Sequence, residues 1–233
     1  MKTNYWILLF FLLPFLACKK EENLIERFYL KNGDAVLPVV VKGNNASNVM
    51  IVVLHGGPGD SAIRSYGDPG FFDNLENNYQ LVYWDQRCAG LSQGTCDPAT
   101  LNFDLYREDL EKLVDLLVLN YGADKSIFLM GHSWGGTLGL LYLLEENNQD
   151  RIKGFICVDG PHNFPLTTDA ARDYIVDFGG QMVQQGIQTD RWQGFIDRVA
   201  NLSNDQIEDV SAINQTGYKT NDVLIEMDSV FAG

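Results

Sequence analysis

Short apolar runs recur along the middle of the chain, and they predict the strands of one sheet. They lie at residues 49–55 (VMIVVLH), 80–85 (QLVYWD), 126–130 (SIFLM) and 154–159 (GFICVD). Continuous hydrophobicity over so few residues is typical of strands that are buried on both faces, as in a parallel sheet covered by helices. Before them, ERFYLKN and AVLPVVVKG flank the turn Asn32-Gly33-Asp34 and predict an antiparallel hairpin.

Helical periodicity separates these runs. Apolar residues recur at helical spacing from Leu110 to Val118, and this pattern stops at Asn120-Tyr121-Gly122. A second, wholly apolar helix is predicted from Leu138 to Leu144. Strands that alternate with helices indicate the α/β class, here with a mostly parallel sheet and an antiparallel start.

After Asp159 the pattern becomes helical. TTDAARDYIVDFGG has a Thr/Asp cap and a Gly-Gly stop, and TDRWQGFIDRVANL and SNDQIEDVSAI repeat that design. No further strand is predicted. The sequence therefore divides into an α/β core at residues 28–160 and a helical cap segment at residues 161–233.

The charge of the chain narrows the class of partner. The 233 residues carry a formal net charge of −14 and have a pI near 4.5. Nucleic-acid binding is disfavoured, because such proteins present Lys/Arg faces to phosphate. The cap segment has 11 acidic and 4 basic residues, and its net charge of −7 is half that of the chain. A small substrate that is cationic or neutral fits this balance better.

The amino terminus is interpreted as a targeting segment. Lys2 precedes an uncharged run from Tyr5 to Cys18 that is too short to span a bilayer comfortably. Its ending resembles a bacterial lipoprotein signal, so residues 1–18 are predicted to be a signal peptide, Cys18 the lipid anchor and residues 19–27 a hydrophilic tether. This predicts an exported protein held on a bacterial cell membrane, at the periplasmic face or the cell surface. A plain secretory signal or an uncleaved anchor is the alternative.

The other cysteines are Cys88, Cys96 and Cys157. An exported compartment permits Cys88 and Cys96 to pair, but their spacing of eight positions leaves the pairing open. Cys157 lies in an apolar run and is expected to be an inert core thiol. No Cys/His cluster indicates a metal site, and no cofactor is predicted.

The segment GHSWGG, residues 131–136, predicts a nucleophile. Gly-x-Ser-x-Gly between a predicted strand and a predicted helix is the nucleophile elbow, in which the glycines permit a tight turn that exposes the Ser133 hydroxyl. LHGGPG, residues 54–59, follows another strand and predicts an oxyanion hole. We assign the donors as the Gly57 and Trp134 N–H groups, with Gly56 as the alternative to Gly57.

Three motifs in this order, HGGPG at 55–59, WDQRCAGLS at 84–92 and GHSWGGTLGL at 131–140, resemble the proline iminopeptidase family of α/β-hydrolases. The resemblance implies an enzyme that removes an N-terminal residue, typically proline, from small peptides or aminoacyl substrates. It also implies a Ser/Asp/His triad under a helical cap whose acidic residues receive the substrate amino group. Cys88 and His132 depart from the family, which usually has glycine at the first position and often at the second. Asp85 and Arg87 are interpreted as a charged pair that fixes its own loop.

The base that Ser133 needs is not evident among the three histidines. His55 is expected to support the oxyanion loop, and His132 adjoins the serine and points to the other side. Asp159 and His162 follow the expected chain order, but they are too close together to approach the serine from different strands. The favoured interpretation is that the fold is C-terminally incomplete, without its last strands and without the triad Asp and His. Such a chain is expected to be inactive.

Three functions remain open. The first is a lipid-anchored serine peptidase of the proline iminopeptidase type, and the second is an esterase or amidase of the α/β-hydrolase superfamily. The third is a truncated, non-catalytic remnant.

Overall fold

A computed structural model describes residues 23–68, 70–97, 101–204 and 207–231. The chain divides into two compact units, residues 1–156 and residues 157–233. The predicted signal peptide with Cys18, and the tether up to residue 22, lie outside the described residues. Within the described part, no helix combines the length and the hydropathy that crossing a bilayer requires.

Six strands form one mixed sheet in the order β1-β2-β4-β3-β5-β6. Their bounds are β1 Asn23–Asn32, β2 Ala35–Asn44, β3 Val49–Leu54, β4 Gln80–Trp84, β5 Ser126–His132 and β6 Gly154–Val158. β2 is antiparallel to both β1 and β4, whereas β3 is parallel to both β4 and β5. Each predicted strand is confirmed, as are the antiparallel start and the parallel centre.

The hairpin that opens the sheet follows its turn residues. Asn32 pairs with Ala35 across the turn, and Gly33 between them has a φ of 63°. Glycine adopts this left-handed backbone without steric cost, so the two strands can reverse within a few residues.

Both faces of the sheet are buried, as the continuous apolar runs predict. Val52 packs on one face, against α3 (Phe103–Tyr121) and α4 (Trp134–Leu143), whereas its neighbour Val53 packs on the other face. The second face is covered from the segment that contains the short helices α1 (Ala62–Ser65) and α2 (Asp73–Glu76). Successive side chains of a strand point to opposite faces, so neither of these valines reaches solvent.

α3 ends at the stop that the sequence predicts, and it begins before the predicted apolar pattern. The Asn102 side chain accepts a hydrogen bond from the Leu105 N–H at the start, and Gly122 with a φ of 98° follows the last residue. These are an N-cap and a glycine stop. The first unit also contains a short 3₁₀ helix, Asn148–Arg151.

After the end of β6, the described part of the second unit forms the helices α5 Phe164–Gln184, α6 Thr189–Val199 and α7 Ile207–Phe231. The three predicted helices are present, but three of their predicted boundaries are wrong. α5 begins before the Thr/Asp pair, with Asn163 as its cap, and it continues through Gly179-Gly180. α7 extends well beyond the predicted SNDQIEDVSAI segment, residues 203–213.

Packing between helices explains why the predicted stop fails. A Cβ at Gly179 would lie 3.1 Å from Cε3 of Trp192 and 3.3 Å from the Ile196 side chain. Gly179 is therefore a contact position of α5 against α6, where its small size admits a large indole. Tertiary packing here outweighs the low helix propensity of glycine.

Cys157 is exposed, so the prediction of a core thiol is wrong. It lies on β6, the last strand in the sheet order, and its neighbours Ile156 and Val158 are each 46% exposed. An apolar run is buried only where helices or strands cover it, and the pattern of one strand does not reveal that cover.

The pairing of Cys88 with Cys96, which the spacing left open, is present. The two form a disulfide with their Cα atoms 5.5 Å apart. It closes the loop that follows β4.

Candidate active site

Ser133 occupies the turn between β5 and α4. Its backbone has φ 51° and ψ −119°, a left-handed conformation that is rare for a residue with a side chain. The hydroxyl-bearing side chain is half-buried on this turn. This strained turn between a strand and a helix lies where the sequence predicts a nucleophile elbow.

Two glycines make the turn possible. A Cβ at Gly131 would lie 2.3 Å from the Gly135 carbonyl oxygen, and a Cβ at Gly135 would lie 2.0 Å from the Leu54 carbonyl oxygen. No side chain fits at either distance. Gly135 thus lets the start of α4 pack against the end of β3, which brings the elbow next to the loop that follows β3.

That loop is HGGPG, and its backbone lies against Ser133. A Cβ at Gly56 would be 3.4 Å from the Ser133 Cβ and 3.2 Å from the His132 Nδ1. Gly57, the predicted donor, follows with a φ of 111°, and the Gly57–Pro58 peptide is cis. Trp134, the other predicted donor, is the first residue of α4, where backbone N–H groups have no partner within the helix. The structure therefore brings together the segments that carry Ser133, Gly57 and Trp134.

His55 is a structural residue of this loop. It is fully buried, its Nδ1 lies 2.8 Å from the Gly56 carbonyl oxygen, and its Nε2 accepts a hydrogen bond from the Gln86 N–H at 3.0 Å. These contacts assign the proton to Nδ1 and occupy both ring nitrogens. Burial lowers the pKa of His55, which keeps the ring neutral. His55 is therefore not a free base, in agreement with the prediction that it supports the loop.

His132 is exposed, and its Nδ1 lies 3.0 Å from the Tyr66 hydroxyl. The Tyr66 ring also contacts Phe71 and Phe72, with centroids 5.3 Å and 6.0 Å away. Within the first unit, neither His55 nor His132 makes a hydrogen bond with the Ser133 hydroxyl.

His162 belongs to the second unit. Its side chain is exposed, and its Nδ1 lies 3.4 Å from the Gly160 carbonyl oxygen. Asp159, whose pairing with His162 the sequence analysis disfavours, has a φ of 52°.

Asp85 fixes a loop, as predicted, although it does not pair with Arg87. Its carboxylate is fully buried and accepts hydrogen bonds from the Ser61 hydroxyl at 2.8 Å, the Ile63 N–H at 3.1 Å and the Leu91 N–H at 2.8 Å. This carboxylate therefore ties the segment after the HGGPG loop to the loop after β4.

Arg87 pairs with Asp109 of α3. Its Nε and Nη2 donate to the two carboxylate oxygens of Asp109 at 2.9 Å and 2.8 Å, and both side chains are almost wholly buried. This bond raises the pKa of Arg87. Asn32 of the hairpin turn also donates to Asp109, at 2.7 Å. The interpretation of Asp85 and Arg87 as one charged pair was wrong because the partner of the arginine lies on a different element.

Gln86 was missed by the sequence analysis, although it stands between the two charged residues of the second motif. It is fully buried and contacts both of the other motifs. Its Oε1 accepts a hydrogen bond from the Trp134 indole at 2.8 Å, and its Nε2 donates to the His55 carbonyl oxygen at 3.1 Å. Its place in a run of three polar residues, 85–87, that follows a fully buried strand is the signal that could have indicated it.

Among the described residues, no group of three His, Cys, Asp or Glu side chains is arranged to hold a metal ion.

Comparisons with known proteins agree with this geometry. The sequence pattern of the alpha/beta hydrolase fold family matches residues 49–203. A proline iminopeptidase of Saccharolobus solfataricus is 34% identical over 135 residues, which are 58% of this chain and 40% of that protein. A proline iminopeptidase of Neisseria meningitidis serogroup A is 29% identical over 167 residues, 71% of this chain and 48% of that protein. The chain thus spans less than half the length of these two relatives.

A solved structure is also similar. The crystal structure of a proline iminopeptidase-related protein from Thermus thermophilus superposes with a TM-score of 0.53 at 26% identity, covering 65% of this chain and 50% of that one. These similarities confirm the resemblance that the three motifs indicated.

Proposed function

Because the chain belongs to the α/β-hydrolase fold family, we propose that it is a serine hydrolase of the proline iminopeptidase type, which releases an N-terminal residue from small peptides. The left-handed backbone of Ser133 at the turn between β5 and α4 carries this proposal. A residue with a side chain adopts that backbone at a cost, and in this fold it presents a nucleophile. The similarity to proline iminopeptidases supports proline as the residue released.

In the proposed reaction, the Ser133 Oγ attacks the carbonyl carbon of the N-terminal residue, and its proton passes to a base. The negative charge that develops on the carbonyl oxygen is received by the N–H groups of Gly57 and Trp134. The intermediate collapses when the C–N bond breaks and the leaving amine takes up the proton. Water then attacks the acyl-enzyme ester, which releases the amino acid and restores the serine.

The base is the part of the triad that the first unit does not supply. Both ring nitrogens of His55 are occupied, and His132 is hydrogen-bonded to Tyr66. His162 is the remaining histidine of the sequence, so a His162→Gln variant tests whether this chain carries its own base.

The charge of the predicted cap segment supports a substrate with a free amino group. Residues 161–233 carry a net charge of −7, which attracts a cationic N-terminus and disfavours an anionic substrate. A blocked amine has no positive charge, so comparing free and acetylated substrates separates an aminopeptidase from a general esterase or amidase.

Replacing Ser133 tests the nucleophile. If the protein carries a base for Ser133, a fluorophosphonate should label Ser133 in equal molar amount, and Ser133→Ala should not be labelled. Absence of labelling in both would favour the incomplete, inactive chain that the sequence predicts. Hydrolysis of a prolyl amide should fall by about 10⁴-fold or more in Ser133→Ala, on the pattern of triad knockouts. Intact-mass spectrometry and release of the amine measure the two effects.

The controls use the same preparation. N-acetyl-prolyl amide should be a poor substrate, and a simple ester should be hydrolysed more slowly than the free prolyl amide. Labelling of Ser133→Ala at the rate of the unchanged protein would place the chemistry at another residue. Preference for the ester would favour the esterase alternative.

A further inference from the structure

The Gln86 side chain links the HGGPG loop to the start of α4, the two segments that carry the candidate oxyanion donors. We propose that it is a positioning residue, which sets the separation of the Gly57 and Trp134 N–H groups without touching the substrate. This inference rests on the proposed function of Ser133. The side chain is fully buried and its amide contacts one loop through each end.

The oxygen end of the amide holds Trp134. Gln86 Oε1 accepts from the indole Nε1 at 2.8 Å, while Phe103 stacks on the indole at 5.7 Å and Tyr106 meets it edge-on at 5.4 Å. The aromatic rings contact the indole on a face and at an edge, and the hydrogen bond to Gln86 adds a directional contact at its polar end. The backbone N–H of the same residue is the donor at the start of α4, so fixing the indole fixes the donor.

The nitrogen end of the amide holds the HGGPG loop. Gln86 Nε2 donates to the His55 carbonyl oxygen at 3.1 Å, and the Gln86 backbone N–H donates to the His55 ring at 3.0 Å. The His55 carbonyl belongs to the same planar peptide group as the Gly56 nitrogen. This hydrogen bond therefore fixes the orientation of the His55–Gly56 peptide, which leads into Gly57. His55 is thereby held at both its ring and its main chain.

The backbone of Gln86 is also fixed, by hydrogen bonds within the loop after β4. Its carbonyl oxygen accepts from the Ala89 N–H at 3.1 Å and from the Ser92 hydroxyl at 2.8 Å. The next residue, Arg87, forms the buried ion pair with Asp109. Gln86 is therefore held in place by the loop after β4, independently of its contacts with the HGGPG loop and with Trp134.

A carboxamide is suited to this position because it offers one donor and one acceptor at a single planar group. Glutamate would keep the acceptor for the indole but would place a carboxylate oxygen against the His55 carbonyl. Methionine has a similar length and would lose both bonds, which would leave a buried indole N–H without its acceptor.

Gln86→Met tests the proposal, with Gln80→Met as the matched control. Gln80 is also fully buried, but it lies at the opposite end of β4, where its Oε1 accepts from Lys125 at 2.8 Å. In Gln86→Met, the ¹⁵N–¹H signals of the Gly57 and Trp134 amides should shift, and the Trp134 indole should exchange with solvent about 10-fold faster. Phosphonylation of Ser133 should slow by about 10- to 100-fold. Gln80→Met should change none of these.

Two further variants separate the two ends of the amide. Gln86→Glu, a second choice if the methionine variant does not fold, should shift the Gly57 amide while the Trp134 indole stays protected. In a Trp134→Phe background, Gln86→Met should slow phosphonylation less than it does alone, because both changes remove the same hydrogen bond.

The outcomes for the two proposals differ. If Gln86→Met and Gln80→Met have the same Gly57 and Trp134 amide signals as the unchanged protein, Gln86 has no positioning role. If the unchanged protein is not phosphonylated at Ser133, the proposed function is contradicted. The amide signals still decide the role of Gln86 in that case, since they require no activity.

Discussion

At the scale of single residues, the shape of the site depends on positions that tolerate no side chain. Gly131 and Gly135 flank Ser133, and a Cβ at either would lie within 2.3 Å of a backbone carbonyl oxygen. Because backbone atoms cannot move aside as the end of a side chain can, relief requires the turn itself to shift. The sequence predicts these glycines from the elbow motif alone, whereas the contact of Gly135 with Leu54 follows only from the packing of α4 against β3.

Substituting Gly135 should therefore be costly, and a glycine elsewhere gives the contrast. Gly135→Ala should lower the free energy of unfolding by about 3 kcal/mol or more, because it overpacks a backbone contact. Gly180→Ala, inside α5 where an added Cβ would meet no atom within 4 Å, should raise it by about 0.5–1 kcal/mol. Urea unfolding followed by circular dichroism measures both. Equal effects of the two changes would contradict this account of the elbow.

His55 gives the stability of the protein a pH dependence of known sign. Burial lowers the pKa of His55 in the folded protein from the ordinary value of 6.5. As the pH falls below 6.5, the unfolded chain therefore becomes protonated at His55 before the folded protein does. The contribution is present above pH 6.5 and is lost as the pH falls below it, by at most about 1.4 kcal/mol per pH unit.

Between pH 7 and pH 5.5, the unchanged protein should lose more unfolding free energy than His55→Gln, because glutamine does not titrate. Urea titrations at fixed ionic strength provide the measurement. His132→Gln, at an exposed histidine, is the control and should follow the unchanged protein. A His55→Gln curve parallel to that of the unchanged protein would show that His55 is protonated in the folded state.

At the scale of elements, the loop after β4 is held to its neighbours by buried charges. Asp85 ties it to the segment before α1, and Arg87 ties it to α3 through Asp109. The sequence placed both residues at a strand end and predicted a loop-fixing role, but it could not supply their partners. Those partners are 22 to 24 positions away, and only the packing of α3 on the sheet brings Asp109 to the arginine.

Breaking the Arg87–Asp109 pair should destabilise the protein strongly. Asp109→Asn leaves the Arg87 guanidinium buried without a countercharge, and this should cost about 3–5 kcal/mol of unfolding free energy. Asp115→Asn, which removes the carboxylate that pairs with Arg151 at the surface of the same helix, should cost less than about 1 kcal/mol. Chemical denaturation measures both losses. Similar losses in the two variants would show that the buried pair contributes no more to stability than the surface pair.

At the scale of the whole molecule, the local pattern of the sequence predicted every strand and the three motifs of the candidate site. The local pattern failed where the end of a helix or the burial of a side chain depends on packing against another element. Gly179 does not end α5 because Trp192 packs on it, and Cys157 is exposed because its strand is the last in the sheet order. Gln86 was missed for the same reason, since its side-chain partners belong to the HGGPG loop and to α4.

The contact between Gly135 and the end of β3 also has a consequence for how the candidate site assembles during folding. The residues concerned, Leu54 and Gly135, are far apart in sequence, and the parallel pairing of β3 with β5 that brings them together closes the same long loop. Contacts of this range form late, because the chain must first lose the entropy of closing that loop. A newly made chain should therefore complete the turn at Ser133 only when the centre of its sheet has assembled.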